Sequence, residues 1–352
     1  MRNAATWKIC LVLFAALLLV SALSLVTGVV RVPFDQLLES DVIRMRLMRI
    51  LLGIVAGAGL SVAGVIFQAL LRNPLAEPYV LGVSSGAGLA AAVAIVLGLS
   101  ILGVWTVPAA AFLGALATIM MVYAIARRPG GVVPVQTLLL SGVVVGAVMG
   151  SILMFLVSSS ETVGLEDTFH PQSDSATSDP NAPQSTAPSG QRLHKVIWWL
   201  LGNLQTSNTG LLGAVAVLVV TGLVASVLLA RDLNLMTLGE EPAAHLGIEV
   251  ERSKKLFFLL GSLMAGATVA ACGLIGFVGL IVPHGVRMAV GPDHRKLVPA
   301  SALAGAAFMV AADIVARTIL SPEEIPIGVV TAFLGGPFFL CLLRRRRGGY
   351  WS

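Results

Sequence analysis

The chain has 352 residues, of which 57% are hydrophobic and only 12% are charged, with a formal net charge of +5. Soluble globular domains average roughly 25% charged residues, so this composition excludes a water-soluble particle of this size. It also excludes a disordered chain, a collagen and a coiled coil, and it indicates a polytopic membrane protein. The apolar runs are unbroken rather than alternating, which favours membrane-spanning helices over a β-barrel.

Ten apolar runs follow one another along the chain and predict about ten membrane-spanning helices, since a bilayer core of roughly 30 Å needs about 20 apolar residues per helix. The predicted spans cover residues 9–30, 50–71, 80–97, 107–126, 138–157, 196–201 continuing into 211–229, 256–271, 274–290, 298–316 and 327–343. The basic start of the first run is also typical of a signal peptide, but the spans that follow favour an uncleaved first helix. We therefore expect residues 1–352 to form one all-α transmembrane domain.

The lysines and arginines indicate how these spans are oriented. With the N-terminus in the cytoplasm, most of the 23 basic residues fall on the inner side, as the positive-inside rule requires. An even number of spans then returns the C-terminus to the cytoplasm. Arg44, Arg46 and Arg49 break the rule as a cluster at an outer end, which indicates that they have a specific role.

Two polar segments interrupt the apolar pattern. Residues 158–191 are rich in Ser, Thr, Pro and acidic residues and contain no Lys or Arg, so they predict a flexible extracytoplasmic insertion. The nearby His170 and His194 would also suit a metal or haem hand-over, but we favour a solvated insertion. Residues 230–255 form the sizeable charged segment on the inner side. Their composition leaves two interpretations open, a docking surface for a cytoplasmic partner and a solvated connector.

Short motifs within the apolar runs predict local geometry. Asn73 and Pro74 stand at an inner turn, where Asn caps a helix start and Pro is tolerated at the first helical position, so they predict a corner between two helices. Further along, Gly276 and Gly279 precede the pair Pro283-His284, which predicts a kinked and closely packed segment. An ionisable group at membrane depth is a candidate for function. For His284 we favour a structural, hydrogen-bonded role over a proton relay.

Asp313 and Arg317 lie four residues apart on one predicted helix, so they can pair on a single face. Such a pair near an outer end either directs Arg317 towards an extracytoplasmic partner or neutralises a buried charge. No lysine in the chain follows a glycine, so a P-loop for ATP is excluded. Zinc spacings, a serine-triad elbow and an EF-hand loop are also missing from the sequence, and we predict neither enzyme activity nor a metal or other cofactor.

Taken together, these motifs resemble the FecCD family, the permease subunits of type II ABC importers for iron–siderophores, haem and cobalamin. The matching stretches, in family order, are residues 47–49, 68–78, 81–88, 199–202, 276–284, 291–295, 312–313 and 325–339. They cover the chain from about Arg44 to Leu343. Met48 departs from the family pattern, which has Pro at this position, and the 158–191 insertion is longer than the connection usual in the family.

The resemblance implies ten helices, a multi-pass protein of the bacterial inner (plasma) membrane with both termini in the cytoplasm, and a dimer with an identical or paralogous permease subunit. It implies that an extracytoplasmic substrate-binding protein docks on Arg46, Arg49 and Arg317. A dimer of ATP-binding subunits would contact Leu238, Gly239, Glu240, Glu241, Pro242, Ala243, Ala244, His245, Leu246 and Gly247, so that residues 230–255 serve as a cytoplasmic coupling loop. We assign Asn73, Pro74, Gly276, Gly279, Pro283, His284 and Asp313 to structural motifs. Membrane lipid is an expected partner, and nucleic acid is not.

The expected function is therefore translocation of an iron chelate, with ferric siderophore first and haem and cobalamin as further candidates. The alternative is an ion-coupled secondary transporter, which needs partly buried carboxylates or histidines along its path. Within the predicted spans, Asp313 and His284 are the candidates for that role. A purely structural membrane scaffold would need neither the outer arginines nor the inner charged segment.

Overall fold

The structure, a computed structural model, describes residues 2–28, 41–169, 189–206 and 208–345. This part of the chain is helical, with short connections. The helices are α1 (Arg2–Val26), α2 (Asp41–Leu70), α3 (Val83–Val96), α4 (Thr106–Ala126), α5 (Val135–Phe169), α6 (Ser189–Leu200), α7 (Thr209–Leu228), α8 (Ala230–Thr237), α9 (Glu240–His245), α10 (Val250–Cys272), α11 (Val278–Val290), α12 (His294–Thr318) and α13 (Ile327–Arg345).

Ten of these helices account for the apolar runs. Within the described residues, seven are long and apolar enough to cross a membrane, namely α1, α2, α4, α5, α7, α10 and α12, while α3, α11 and α13 are shorter apolar helices. The predicted all-α class is thus confirmed, and the ten predicted runs correspond to these seven spanning helices and three shorter apolar helices. At 1.5 Å per residue, the 14 residues of α3 and the 13 of α11 rise only about 20 Å. Both helices are therefore shorter than a bilayer core of roughly 30 Å.

The sequence prediction was wrong at two connections. It joined residues 196–201 and 211–229 into one span, whereas α6 ends at Leu200 and α7 begins only at Thr209. Gly202 has a φ of +80°, and the Asn208 side chain caps α7 by accepting a hydrogen bond from the Leu211 amide, so local turn chemistry ends one helix and starts the next. The second difference concerns the insertion predicted at 158–191. Helices α5 and α6 extend into both of its ends, and residues 170–188 lie outside the described residues.

The core is built around α2, whose backbone touches its neighbours directly. A methyl group added at Gly57 would overlap the carbonyl oxygen of Gly305 in α12, and one added at Gly64 would overlap the carbonyl oxygen of Gly279 in α11. Small residues allow such close approach between membrane helices. The result is a tightly joined group of α2, α11 and α12 at the centre of the bundle.

The packing of α10 on α2 fixes which polar groups share an end of the bundle. Thr268 lies against Gly59, and Gly261 lies against the ring of Phe67, so the two helices run antiparallel. Residues near the start of α2 and residues near the start of α10 therefore lie at opposite ends. We call these the arginine end, which carries Arg49, and the α9 end.

Candidate functional site

A cluster of ionic side chains lies at the arginine end. The Arg49 Nε atom lies 2.7 Å from Asp313 Oδ1, and its Nη1 atom lies 2.9 Å from Glu324 Oε2. The Nε atom of Arg317 lies 3.0 Å from Asp313 Oδ2, which confirms the predicted pair four residues apart on α12. Asp313 thus bridges two arginines from two helices, with its side chain only 2% exposed. The two cations compensate the charge of this carboxylate and so offset the free-energy cost of burying it.

The same cluster fastens α1 to the bundle. The Arg46 Nη1 atom donates to the Leu25 carbonyl oxygen at 2.7 Å, and Arg317 Nη2 donates to the Ser24 hydroxyl at 2.6 Å. Arg46 is 7% exposed and Arg317 is 4% exposed, so both guanidinium groups lie inside the protein. Within the cluster, the contact that faces outwards is the one between Arg49 and the 29%-exposed Glu324 side chain.

A pocket of about 190 Å³ opens beside this contact. Arg49 and Glu324 line the pocket together with Trp198 from α6 and with Asn203 and Gln205 from the connection after α6. The Gln205 side-chain amide donates to Glu324 Oε2 at 2.9 Å, so Glu324 is held from two sides. The pocket combines a cation, a carboxylate, amides and an aromatic ring, and these groups suit recognition of a polar partner group.

Behind the pocket, three motifs that are distant in sequence meet through backbone hydrogen bonds. The Asn203 amide donates to the Cys272 carbonyl at 2.7 Å, and the Gly328 amide donates to the Leu201 carbonyl at 3.1 Å. A methyl group at Gly202 would crowd the Leu274 carbonyl, so these non-helical segments cross in close contact. The connections before α7, α11 and α13 therefore form one junction.

The remaining motif residues lie near the start and along the length of α11. Gly279 accepts a hydrogen bond from the Gln68 side chain at 3.2 Å, and Gly276 precedes the helix in the same connection. Pro283 and His284 are buried within α11, and the His284 ring packs edge-on against Phe338 at a centroid distance of 6.2 Å.

The corner after α2 differs from the prediction in one respect. The Asn73 side chain accepts from the Leu75 amide two residues later, which is an Asx turn rather than a helix cap. The next helical turn begins only at Pro78. Glu77, which we did not single out from the sequence, accepts from the Phe277 amide and so links this corner to the start of α11.

At the opposite end, α9 presents a short exposed helix between two glycines. Gly239 and Gly247 have φ angles of +122° and +89°. Ala243 is fully buried, whereas Glu241, Ala244, His245 and Leu246 are exposed, together with Leu238 just before the helix. Glu240 is half-buried. Exposed apolar side chains beside charged ones are features of a docking surface.

Polar contacts attach α8 and α9 to the spanning helices. Asn234 on α8 donates to Asp293 Oδ1 at 2.8 Å and accepts from the His294 amide at 2.9 Å. Burial alone would raise the pKa of Asp293, but hydrogen bonds from Asn234 and the Arg295 amide, with the charges of Lys296 and Arg295, lower it below its usual value. The Lys254 side chain on α10, 4% exposed, lies 2.7 Å from Glu240 Oε2.

No sequence pattern pointed directly to three of these residues. Glu324, Lys254 and Asn234 act through partners on other elements, and a pairing across many residues leaves no periodic pattern. For Lys254 the i, i+3 spacing to Glu251 was a usable hint. Among the described residues, no group of three or more His, Cys, Asp or Glu side chains is placed to hold a metal ion.

Comparison with known proteins assigns the class. Residues 9–345 match the FecCD transport family. The cobalamin import system permease protein BtuC of Halobacterium salinarum is 42% identical over 86% of this chain and 73% of its own length. The Fe(3+) dicitrate transport system permease protein FecD of Escherichia coli is 36% identical over 97% of this chain and 100% of its own length. The hemin transport system permease protein HmuU of Yersinia pestis is 36% identical over 87% and 82%, respectively.

A solved structure agrees with these matches. A chain described as a metal-chelate type ABC transporter in an inward-facing conformation superposes with a TM-score of 0.78 at 29% identity, covering 97% of this chain and 99% of that one. The fold is therefore that of a multi-pass membrane permease, which is a transport channel and not an enzyme. The chain belongs to the FecCD transport family and is a permease subunit of an ABC importer.

Proposed function

We propose that this chain moves an iron chelate, with ferric siderophore first, across the plasma membrane into a bacterial cytoplasm, using ATP hydrolysed by a separate subunit. Relatives named for ferric dicitrate, hemin and cobalamin support a cargo in which a metal is wrapped by an organic ligand. The observation that carries the proposal is the family match over residues 9–345. Haem and cobalamin are the competing cargoes.

The test is uptake by proteoliposomes that contain this chain with its ATP-binding subunits, supplied with the binding protein. Ferric siderophore, haemin and cobalamin would be compared at equal concentration, with and without ATP. We expect ATP-dependent accumulation of the ferric siderophore. Preferential uptake of cobalamin would refute ferric siderophore as the cargo. Accumulation against a gradient by this chain alone would refute the claim that a separate subunit supplies the energy by ATP hydrolysis.

The arginine end is the proposed docking face for an extracytoplasmic binding protein. Arg49 is the member of the cluster whose outer partner, Glu324, is itself partly exposed, so Arg49 is best placed to meet an incoming acidic side chain. The buried Arg46 and Arg317 would act by holding α1, α2 and α12 in position beneath it. Complementary charge across such an interface fixes register and speeds encounter more than it adds affinity.

The α9 end is the proposed contact for a dimer of ATP-binding subunits on the cytoplasmic side. Its support is the exposure of Glu241, Ala244, His245 and Leu246 on and just after this short helix. Deletion of residues 240–247 should abolish copurification of the ATP-binding subunit. Retention of that subunit by the shortened chain would contradict this contact.

Large apolar surfaces support membrane lipid and a second permease subunit, identical or paralogous, as the remaining partners. Only 11% of the apolar window of α1 and 17% of that of α5 are buried within this chain. On α5, Val144, Val148 and Phe155 are exposed. We propose that one such surface faces lipid and another faces the second subunit, with both termini in the cytoplasm.

The contacts of Asp313 argue against an ion-coupled secondary transporter. Such a carrier needs a buried carboxylate that can exchange a proton or a cation. Asp313 is instead held by Arg49 and Arg317 at 2.7 and 3.0 Å. A carboxylate between two guanidinium groups is a poor exchange site, because releasing it would break its ion pairs with both of them.

A further inference from the structure

Lys254 is a buried cation that joins three separate segments at the α9 end. Its Nζ atom lies 2.7 Å from Glu240 Oε2 on α9 and 2.8 Å from Glu251 Oε1 on α10. The same Nζ donates to the Val133 carbonyl oxygen at 3.0 Å. Val133 belongs to the connection between α4 and α5, so one side chain links α9, α10 and this connection.

Glu251 strengthens the junction because it is used twice. One carboxylate oxygen pairs with Lys254, and the other accepts from the Val133 amide at 3.0 Å. Both backbone polar groups of Val133 are therefore bound by the same two side chains. A buried ammonium is tolerated only when it is paired and hydrogen-bonded, so these contacts hold one another in place.

Another ion pair nearby shows what an ordinary surface contact looks like. Arg252 lies in the first turn of α10, and Glu249 is the residue just before that helix. Their charged groups lie 3.6 Å apart, and their side chains are 81% and 76% exposed. Such a pair contributes little and joins no separate elements. The Lys254 junction differs in burial, in distance and in crossing between segments.

We propose that Lys254 is a positioning residue that makes α9, the first turn of α10 and the α4–α5 connection move as one body when the ATP-binding subunits move α9. This rests on the proposed docking of those subunits at α9. Gly239 and Gly247 flank α9 and would otherwise let a six-residue helix swing alone. The contact between Lys254 and Glu240 removes that freedom and passes the displacement to α10.

The first test measures substrate transported per ATP hydrolysed by the reconstituted complex, using whichever of ferric citrate, haemin or cobalamin the wild type accumulates. Lys254→Met should lower this ratio at least tenfold while the ATP-binding subunits still copurify, and Lys254→Arg should restore most of it. Lys255→Met is the matched control, since Lys255 is exposed on the next position. An equal ratio for Lys254→Met and Lys255→Met would overturn the proposal.

A second pair of variants breaks the junction from the α9 side, leaving Lys254 with Glu251 and Val133. Glu240→Ala should lower the same ratio, whereas Glu249→Ala, which removes the exposed carboxylate paired with Arg252, should not. Spin labels at His245 and Val132, both exposed, should give one narrow distance with and without ATP in the wild type. In the Glu240→Ala variant, this distance should change when ATP is added. An unchanged, narrow distance in that variant would contradict the proposal that α9 and the α4–α5 connection move together through this junction. Retention of the ATP-binding subunits after deletion of residues 240–247 would instead refute the docking at α9.

Discussion

Replacing Asp313 by Asn removes the one negative charge that two buried or nearly buried arginines share. The side chains of Asp313 and Arg317 are 2% and 5% exposed, and that of Arg49 is 12% exposed. Breaking a buried ion pair by removing one partner costs about 3–5 kcal/mol. Arg49 keeps Glu324 and Arg317 keeps the Ser24 hydroxyl, so we expect the lower value, about 3 kcal/mol, which shifts the folding equilibrium roughly a hundredfold.

The assay is reversible unfolding in detergent micelles, followed by helix content as denaturant increases. Glu324→Gln is the matched control, because it also removes one carboxylate from Arg49 but on the 29%-exposed side. A pair near the surface contributes about 1 kcal/mol or less, so the control should unfold close to the wild type. If Asp313→Asn were no less stable than Glu324→Gln, the placement of Asp313 as the centre of the cluster would be wrong.

Three further predictions concern function. Arg49→Gln, which removes the cation without placing a carboxylate against Asp313, should strongly reduce uptake while the chain still folds and retains its ATP-binding subunits; undiminished uptake in proteoliposomes would exclude Arg49 from docking. Glu324→Gln should tighten binding of the extracytoplasmic binding protein several-fold, measured by surface plasmon resonance on nanodiscs, because an internal competitor for Arg49 is weakened. Glu323→Gln, the same charge change one residue earlier, should leave that affinity unaltered. Equal effects of the two substitutions would show that net charge, and not the contact between Glu324 and Arg49, determines the affinity. Deleting residues 170–188 should leave the uptake rate within about twofold, since the segment was interpreted as a solvated insertion; complete loss would show that it takes part in transport.

The spans could be predicted because a bilayer imposes a length and a polarity on each of them. The break between α6 and α7 was missed because apolar runs on both sides were joined into one span. Its signals are local: Gly202 adopts a left-handed conformation after α6, and the Asn208 side chain caps α7. The shortness of α3 and α11 escaped prediction because the segments before them that are not α-helical, residues 79–82 and 273–277, are as apolar as the helices.

The polar contacts divide along similar lines. The pair of Asp313 and Arg317 follows from helical spacing alone. The pair of Arg49 and Glu324 spans 275 positions, and it forms because the antiparallel packing of α2 and α12 brings the connection after α12, which carries Glu324, next to Arg49. Sequence patterns also gave no measure of burial. They could not tell that Arg46 and Arg317 are enclosed while Arg49 has an outward-facing partner.

The carbonyl-to-glycine contacts of α2 have a mechanical consequence. Helices that touch through their main chains have no intervening side chains whose rotamers can absorb a displacement, so α2, α11 and α12 form a stiff strut. We expect alternation between the two faces of the transporter to be carried by hinging of the more loosely packed helices around this strut. A displacement at one face of the transporter would then reach the other face through these three helices, without a series of small side-chain rearrangements.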